Sequence, residues 1–262
     1  MRTLSLAVAG ALLWASFLSA APAPLNEADV ERNFDAMIHP NDLRDWMKLL
    51  ASEPNHVGSP HDKANANQIL AWFKEWGWDA RIERFWVLYP TPITETFELI
   101  GATPFKATLQ EPPIPGDTSA TATEPALPAY AAYEGDGDVT APLVYVNYGM
   151  EDDYKALQQL GVSVKGAIVI ARYGGGWRGL KPKLAYEHGA LGCVIYSDPG
   201  NDGYAIDKTY PAGPMRPPHG LQRGSVSDVS LYPGDPLTPG VPAMKNAKRL
   251  KISAAPTILV TR

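Results

Sequence analysis

A mixed α/β fold is what this sequence predicts, on three observations. From Tyr130 onward, short Val/Ile/Tyr-rich runs alternate with helical stretches, the pattern of strands joined by crossover helices. The chain is punctuated by 23 Gly and 25 Pro, which promises many loops and short elements. Hydrophobic residues make up 45% and charged ones 19%, ordinary for a chain of 262 residues that buries a core. Lys and Arg number 23 against 28 Asp and Glu, a net charge of −5, so no basic excess is present to hold a nucleic-acid backbone.

Met1-Arg2-Thr3, the apolar run Leu4–Leu18 and the small residues Ser19 to Ala23 have the layout of an export signal. Residues 1–21 are therefore expected to be a signal peptide and the protein to be secreted or periplasmic, with an uncleaved anchor as the alternative because Pro22 and Pro24 crowd the cut sites. The run falls short of the roughly 20 apolar residues that span a bilayer, and no second run of that length follows, so no membrane span is expected after signal cleavage. The single cysteine, Cys193, excludes a disulfide framework; within Leu191–Tyr196 it is expected to pack as a buried apolar thiol.

A first helix is predicted from Asn41, its N-cap, with Leu43, Trp46, Met47 and Leu50 at helical spacing. A second runs from Asp62 to Trp76, placing Ile69, Leu70, Phe73 and Trp76 on one stripe before Gly77 stops it. Asp79–Leu88 alternates like a half-buried strand up to Pro90, and Thr94–Ile100 with Phe105–Gln110 read as a hairpin around Gly101. Residues 111–128 form a Pro-rich loop. Then come a strand at Pro142–Tyr148, a helix at Asp152–Leu160 stopped by Gly161, and a strand at Ala167–Arg172. The loop Gly174–Gly179 leads to a helix at Lys183–His188, stopped by Gly189, and a buried strand at Leu191–Tyr196. Repeated prolines make Ser197–Gly240 mostly loop.

A strand, a glycine-rich loop and a helix together are the layout that cradles phosphate, but Leu180-Lys181-Pro182 puts neither a P-loop lysine nor its hydroxyl in register. Arg178, beside those glycines, instead suits a carboxylate clamp, because its planar fork bonds bidentately. His39, His56 and His61 with Asp62 lack metal-ligand spacing and read as loop histidines. Ser59, His61 and Asp62 are too close in sequence to face one another as a triad. Glu151-Asp152-Asp153 reads as the acidic first turn of a helix, and Asp198–Gly203 as a turn rather than a calcium loop.

Longer ordered blocks carry a resemblance. Leu143–Gly149, Lys165–Gly174, Trp177-Arg178-Gly179 and Gly189–Pro199 are similar to the protease-associated (PA) domain of the glutamate carboxypeptidase II (prostate-specific membrane antigen) and transferrin-receptor-like family of zinc peptidases. Tyr210-Pro211, Gln222–Gly224 and Gly234–Gly240 follow in the same order, and Pro54–Gly58 with the helix to Gly77 resembles the start of the peptidase domain. The resemblance spans about Asn41 to Val260.

It implies a PA domain inserted into an α/β aminopeptidase-like domain that is incomplete here: residues 22–90 as its N-terminal segment and 91–262 as a PA-containing apical domain. Ala255–Val260 looks like the point of return to the peptidase domain, so the two zinc ions and their ligands would lie in sequence not present. On that reading the chain is the N-terminal portion of a secreted zinc metallocarboxypeptidase and is inactive alone. Arg178 matches the arginine that binds the α-carboxylate of a C-terminal glutamate. Ser225 stands where the family has a second substrate contact, an asparagine, so that contact is shortened or lost. Thr238 and Val241 fall where family backbone carbonyls hold a structural calcium. The implied partners are a peptide with an acidic C-terminal residue and, in a full-length form, a second copy as homodimer. A stand-alone, non-catalytic PA module that binds peptides or a partner protein is the alternative, and a peptidase-inactive transferrin-receptor-like protein the third reading.

Overall fold

The computed structural model describes residues 26–121, 126–227, 234–235 and 237–251. The expected signal segment 1–21, Pro233, Pro236, residues 122–125 of the Pro-rich loop and the run Ala255–Val260 lie outside the described residues. The chain divides into two units, Met1–Leu50 and Ala51–Arg262.

In the first unit, helix α1 (Glu27–Met37) begins at Asn26, whose Oδ1 accepts the Asp29 N–H at 2.9 Å, with Glu27 and Asp29 at its positive end. The sequence reading missed this helix. Helix α2 (Pro40–Leu50) starts before Asn41, which lies inside it and does not cap it. Proline suits the first helical position because the N–H it lacks has no intrahelical acceptor there. Neither helix buries a residue: Phe34 and Met47 remain 64% and 66% exposed.

The second unit opens with helix α3 (Pro60–Glu75), which starts two residues earlier than the spacing suggested. Ser59 caps it, its hydroxyl oxygen accepting the Asp62 N–H at 3.1 Å, and Gly77 ends it at a φ of +87°. The expected strand Asp79–Leu88 does not form. The segment is held by separate bonds, Trp86 N–H to the Ala243 carbonyl at 2.6 Å and Leu88 N–H to Asp235 Oδ1 at 2.9 Å. Alternation marks a segment able to pair, and among the described residues no strand lies beside it to make a ladder. The hairpin around Gly101 is present but trimmed to β1 (Glu98–Leu99) and β2 (Phe105–Lys106), paired antiparallel, with Lys106 Nζ 2.8 Å from Glu98 Oε1 across the register.

The α/β core follows β3 (Ala131–Ala132). Strand β4 (Leu143–Tyr145) leads into helix α4 (Glu151–Gln159), β5 (Ile168–Arg172) into helix α5 (Leu180–Glu187), and β6 (Gly192–Tyr196) into the one-turn helix α6 (Pro199–Asp202). Strands β4, β5 and β6 form one parallel sheet with β5 central, in register Val144↔Val169 and Ile170↔Val194. A last strand, β7 (Gly224–Ser225), pairs parallel with β3. Helix α5 begins three residues before the expected Lys183 and takes in Leu180, Lys181 and Pro182. Proline is tolerated within a first turn, where its missing N–H is an orphan anyway.

One face of the sheet is dry. Val169 and Ala171 of β5 are fully buried and pack with Val146, with Tyr154 of α4 and with Leu184 and Ala185 of α5. The opposite face is half-buried, so β6 is not the buried strand its composition suggested, and Cys193 is only partly covered. Burial nevertheless pushes the Cys193 thiol up to about 12, which keeps it a neutral packing group.

Leu184 sits in the dry layer, whereas Leu160 at the end of α4 is 76% exposed. Leu184→Ala is expected to cost about 2–4 kcal/mol of unfolding free energy in urea titrations. Leu160→Ala is expected to stay within about 0.5 kcal/mol of the parent chain. Equal effects at the two positions would contradict this core.

Candidate functional site

Parallel strands put all their carboxyl ends on one edge, and the loops that follow β4, β5 and β6 therefore meet there. After β4 the chain turns sharply through Asn147 and Gly149, at φ of +50° and +65°. Asn147 Nδ2 donates to Asp153 Oδ1 at 2.8 Å and the Met150 N–H to Asp153 Oδ2 at 3.0 Å, which ties the turn to the start of α4. Tyr148 projects from that turn toward the glycine loop after β5. A Cβ on Gly175 would lie 2.8 Å from the Tyr148 ring, so only glycine allows this approach. Arg172, at the end of β5, stacks on the same ring with its guanidinium carbon 4.0 Å from the centroid.

Arg178 closes this loop at the start of α5. Its guanidinium sits 5.4 Å from the Trp177 ring centroid and against Gly224 of β7, where any Cβ would collide with the guanidinium. The next residue, Ser225, uses its hydroxyl locally, 2.8 Å from Ser227 Oγ and accepting the Ser227 N–H at 3.1 Å. The fold thus sets Arg178 against Gly224, the residue before Ser225, so that two residues 47 positions apart in sequence, Arg178 and Ser225, come near one another. Gly224 is the residue that sequence reasoning passed over; its only signal was its place in the Gln222-Arg223-Gly224 block.

Arg178, Gly224 and Val226 line a cavity of about 1030 Å³ that also reaches Tyr196, Arg216 and Glu134. Arg216 Nε is 2.9 Å from Asp202 Oδ2, and Arg223 makes a two-pronged pair with Glu111 at 2.8 and 2.7 Å. Burial opposes ionisation of Glu111, but the Arg223 hydrogen bonds outweigh it and hold its carboxyl below the usual range. Glu134 shares a hydrogen bond with Glu95, one of whose oxygens is buried without a partner. Burial first, then the neighbouring Glu134 charge, raises the Glu95 carboxyl to about 7.

Elsewhere the candidate residues stay apart in role. Ser59 caps α3, His61 lies 3.4 Å from Ser52 Oγ, and Asp198 caps α6 by accepting the Gly200 N–H at 2.8 Å. Among the described residues no group of three or more His, Cys, Asp or Glu side chains is placed to hold a metal ion. Thr238 is buried with its hydroxyl donating to Asp235 Oδ2 at 2.9 Å, and its carbonyl accepts the Val241 N–H at 3.2 Å. No described helix is long and apolar enough to cross a membrane.

The family model described as PA domain matches residues 139–228. Over 186 residues the chain is 39% identical to a protein of Arthroderma benhamiae named "Probable glutamate carboxypeptidase", covering 67% of this chain and 25% of that protein. Over 236 residues it is 36% identical to Aminopeptidase NAALADL1 of Rattus norvegicus, covering 82% of this chain and 30% of the relative. The chain therefore spans only about a quarter to three tenths of the length of these relatives. Among solved structures, an aminopeptidase from Aneurinibacillus sp. strain AM-1 aligns at a TM-score of 0.40 and 20% identity, over 71% of this chain and 34% of that one.

The Glu95 carboxyl titrates higher folded than unfolded, so its contribution to stability is complete below about pH 4.5 and is lost as pH rises to about 7. The melting temperature is expected to fall across that window, and Glu95→Gln to flatten the fall. An unchanged pH profile in the variant would contradict the shared-proton pair.

Proposed function

We propose that this chain, which belongs to the glutamate carboxypeptidase family, is the N-terminal portion of a secreted metallocarboxypeptidase, and that its PA domain binds the C-terminal carboxylate of the peptide substrate through Arg178. The observation that carries the reading is the setting of Arg178. Its guanidinium lies at the carboxyl edge of a parallel sheet, flanked by an indole and a glycine, in the wall of a large cavity. A cation held this way offers parallel N–H donors to a carboxylate and spends little side-chain freedom on binding it.

Zinc and the chemical step belong, on this proposal, to polypeptide outside this chain. What these residues contribute is binding and orientation: Arg178 fixes one end of the substrate, and the sheet edge holds Arg178. Ser225 has a shorter side chain than a family asparagine and its hydroxyl is engaged with Ser227, which supports a weak second contact. A peptide with an acidic C-terminal residue is the proposed ligand. The apolar residues that α1, α2 and α3 present to solvent, among them Phe34, Met47 and Phe73, support a chain that forms part of a larger folded body.

The test is binding of free L-glutamate and of its α-amide to the longest protein its gene encodes. Glutamate is expected to bind more tightly than the amide. Arg178→Ala is expected to weaken glutamate by roughly 10- to 150-fold, the equivalent of about 1.5–3 kcal/mol for a charge-assisted hydrogen bond, and to abolish the preference. Gly224→Ala, which crowds the guanidinium, is expected to weaken glutamate while leaving the melting temperature within a few degrees. Unchanged glutamate affinity in Arg178→Ala removes Arg178 from the site.

A further inference from the structure

Among the described residues one charged side chain is wholly enclosed. Lys181 has 0% of its surface exposed, although it lies in the first turn of a helix that follows an open loop. An ammonium in such a place is costly unless its protons are satisfied. Its Nζ donates to the Tyr148 carbonyl at 2.6 Å and to the Gly174 carbonyl at 2.8 Å. These two carbonyls belong to different loops, the turn after β4 and the start of the glycine loop after β5. Burial pushes the lysine pKa down, and its bonds to two carbonyl dipoles act for the charged form.

The glycine loop needs such a tie. Gly174 and Gly175 both adopt left-handed backbone, at φ of +99° and +71°, and have no side chains of their own with which to pack. The Tyr148 ring touches both, and the Lys181 ammonium pins the carbonyl of the first. Lys181 also donates its own N–H to the Arg178 carbonyl at 3.2 Å. One residue therefore clamps the loop at its start and is bonded to the backbone of Arg178 at its end.

We propose that Lys181 is a positioning residue: its buried ammonium, bonded to the Tyr148 and Gly174 carbonyls, holds the glycine loop so that the Arg178 guanidinium is set for a carboxylate ligand. The proposal rests on the reading that Arg178 binds a carboxylate, and goes beyond it by naming the group that fixes its geometry. Lys181 itself touches no ligand. Methionine in its place keeps the stem and removes both hydrogen bonds, and glutamine keeps a donor of shorter reach.

The experiment measures binding of L-glutamate and its α-amide to the longest protein the gene encodes, as wild type, Arg178→Ala, Lys181→Met and the double variant. Lys181→Met is expected to weaken glutamate about tenfold and the amide hardly at all, and to add nothing in the Arg178→Ala background. A Lys181→Met protein that binds glutamate as wild type does, while Arg178→Ala does not, overturns this inference and leaves the carboxylate reading standing. Loss of affinity in the double variant equal to the product of the two single losses overturns it too, because independent structural damage would be additive. Unchanged affinity in Arg178→Ala overturns the carboxylate reading itself. Should Lys181→Met not fold, Lys181→Gln takes its place with a smaller loss in the same pattern. A measurement on the unmutated protein stands beside these: the 15N resonance of the Lys181 ammonium is expected to shift on adding glutamate and not on adding the amide. An unmoved resonance overturns the proposal.

Discussion

The constraint on which the rest depends is that β4, β5 and β6 run parallel. Parallel strands cannot be joined by tight turns, so each must be followed by a crossover, and each crossover begins at the same edge of the sheet. In this chain that edge receives the Asn147–Met150 turn, the glycine loop and the start of α6. Val169 and Ala171 supply the reason the sheet holds together: with no exposed surface, they take α4 and α5 onto one face and leave the other half-open to the cavity. Arg178 stands where it does because it ends the loop that leaves the central strand.

Position alone would leave a guanidinium mobile. Three features narrow its range: the Trp177 ring on one side, the bare backbone of Gly224 on another, and a loop tied by the enclosed Lys181. In the cavity wall Arg216 is paired with Asp202, and next to the lining residues Gln110 and Gln222, Glu111 is paired with Arg223. The raised Glu95 carboxyl holds a proton in its hydrogen bond to Glu134, which lowers the negative charge opposing an incoming anion. A carboxylate entering this space meets the Arg178 guanidinium between the Trp177 ring and Gly224.

Much of this was legible in the sequence. Each of the elements β4 to β6 had a Val/Ile/Tyr run bounded by glycine, and the helix stops at Gly77, Gly161 and Gly189 were visible because only glycine takes the left-handed backbone there without cost. Arg178 was singled out as a carboxylate clamp from its neighbours and from the resemblance, and the fold sets it in the cavity wall beside Gly224. What could not be read was what depends on contacts between distant segments. Strand Asp79–Leu88 had the alternation but no neighbour, because pairing is a property of two segments and a pattern describes one. Lys181 had looked like a misplaced P-loop lysine, since nothing local says that two carbonyls from separate loops will enclose it. Gly224 and Glu95 act through partners 46 and 39 residues away, Arg178 and Glu134, so no local motif marks them.

The central claim is that the Arg178 guanidinium binds a ligand carboxylate at the carboxyl edge of the sheet. A crystal structure of the protein grown with L-glutamate tests it most directly. The account predicts the α-carboxylate within hydrogen-bond distance of the Arg178 guanidinium, beside Gly224, with Lys181 still bonded to the Tyr148 and Gly174 carbonyls. Glutamate bound elsewhere in the cavity, with Arg178 turned away from it, would contradict the account.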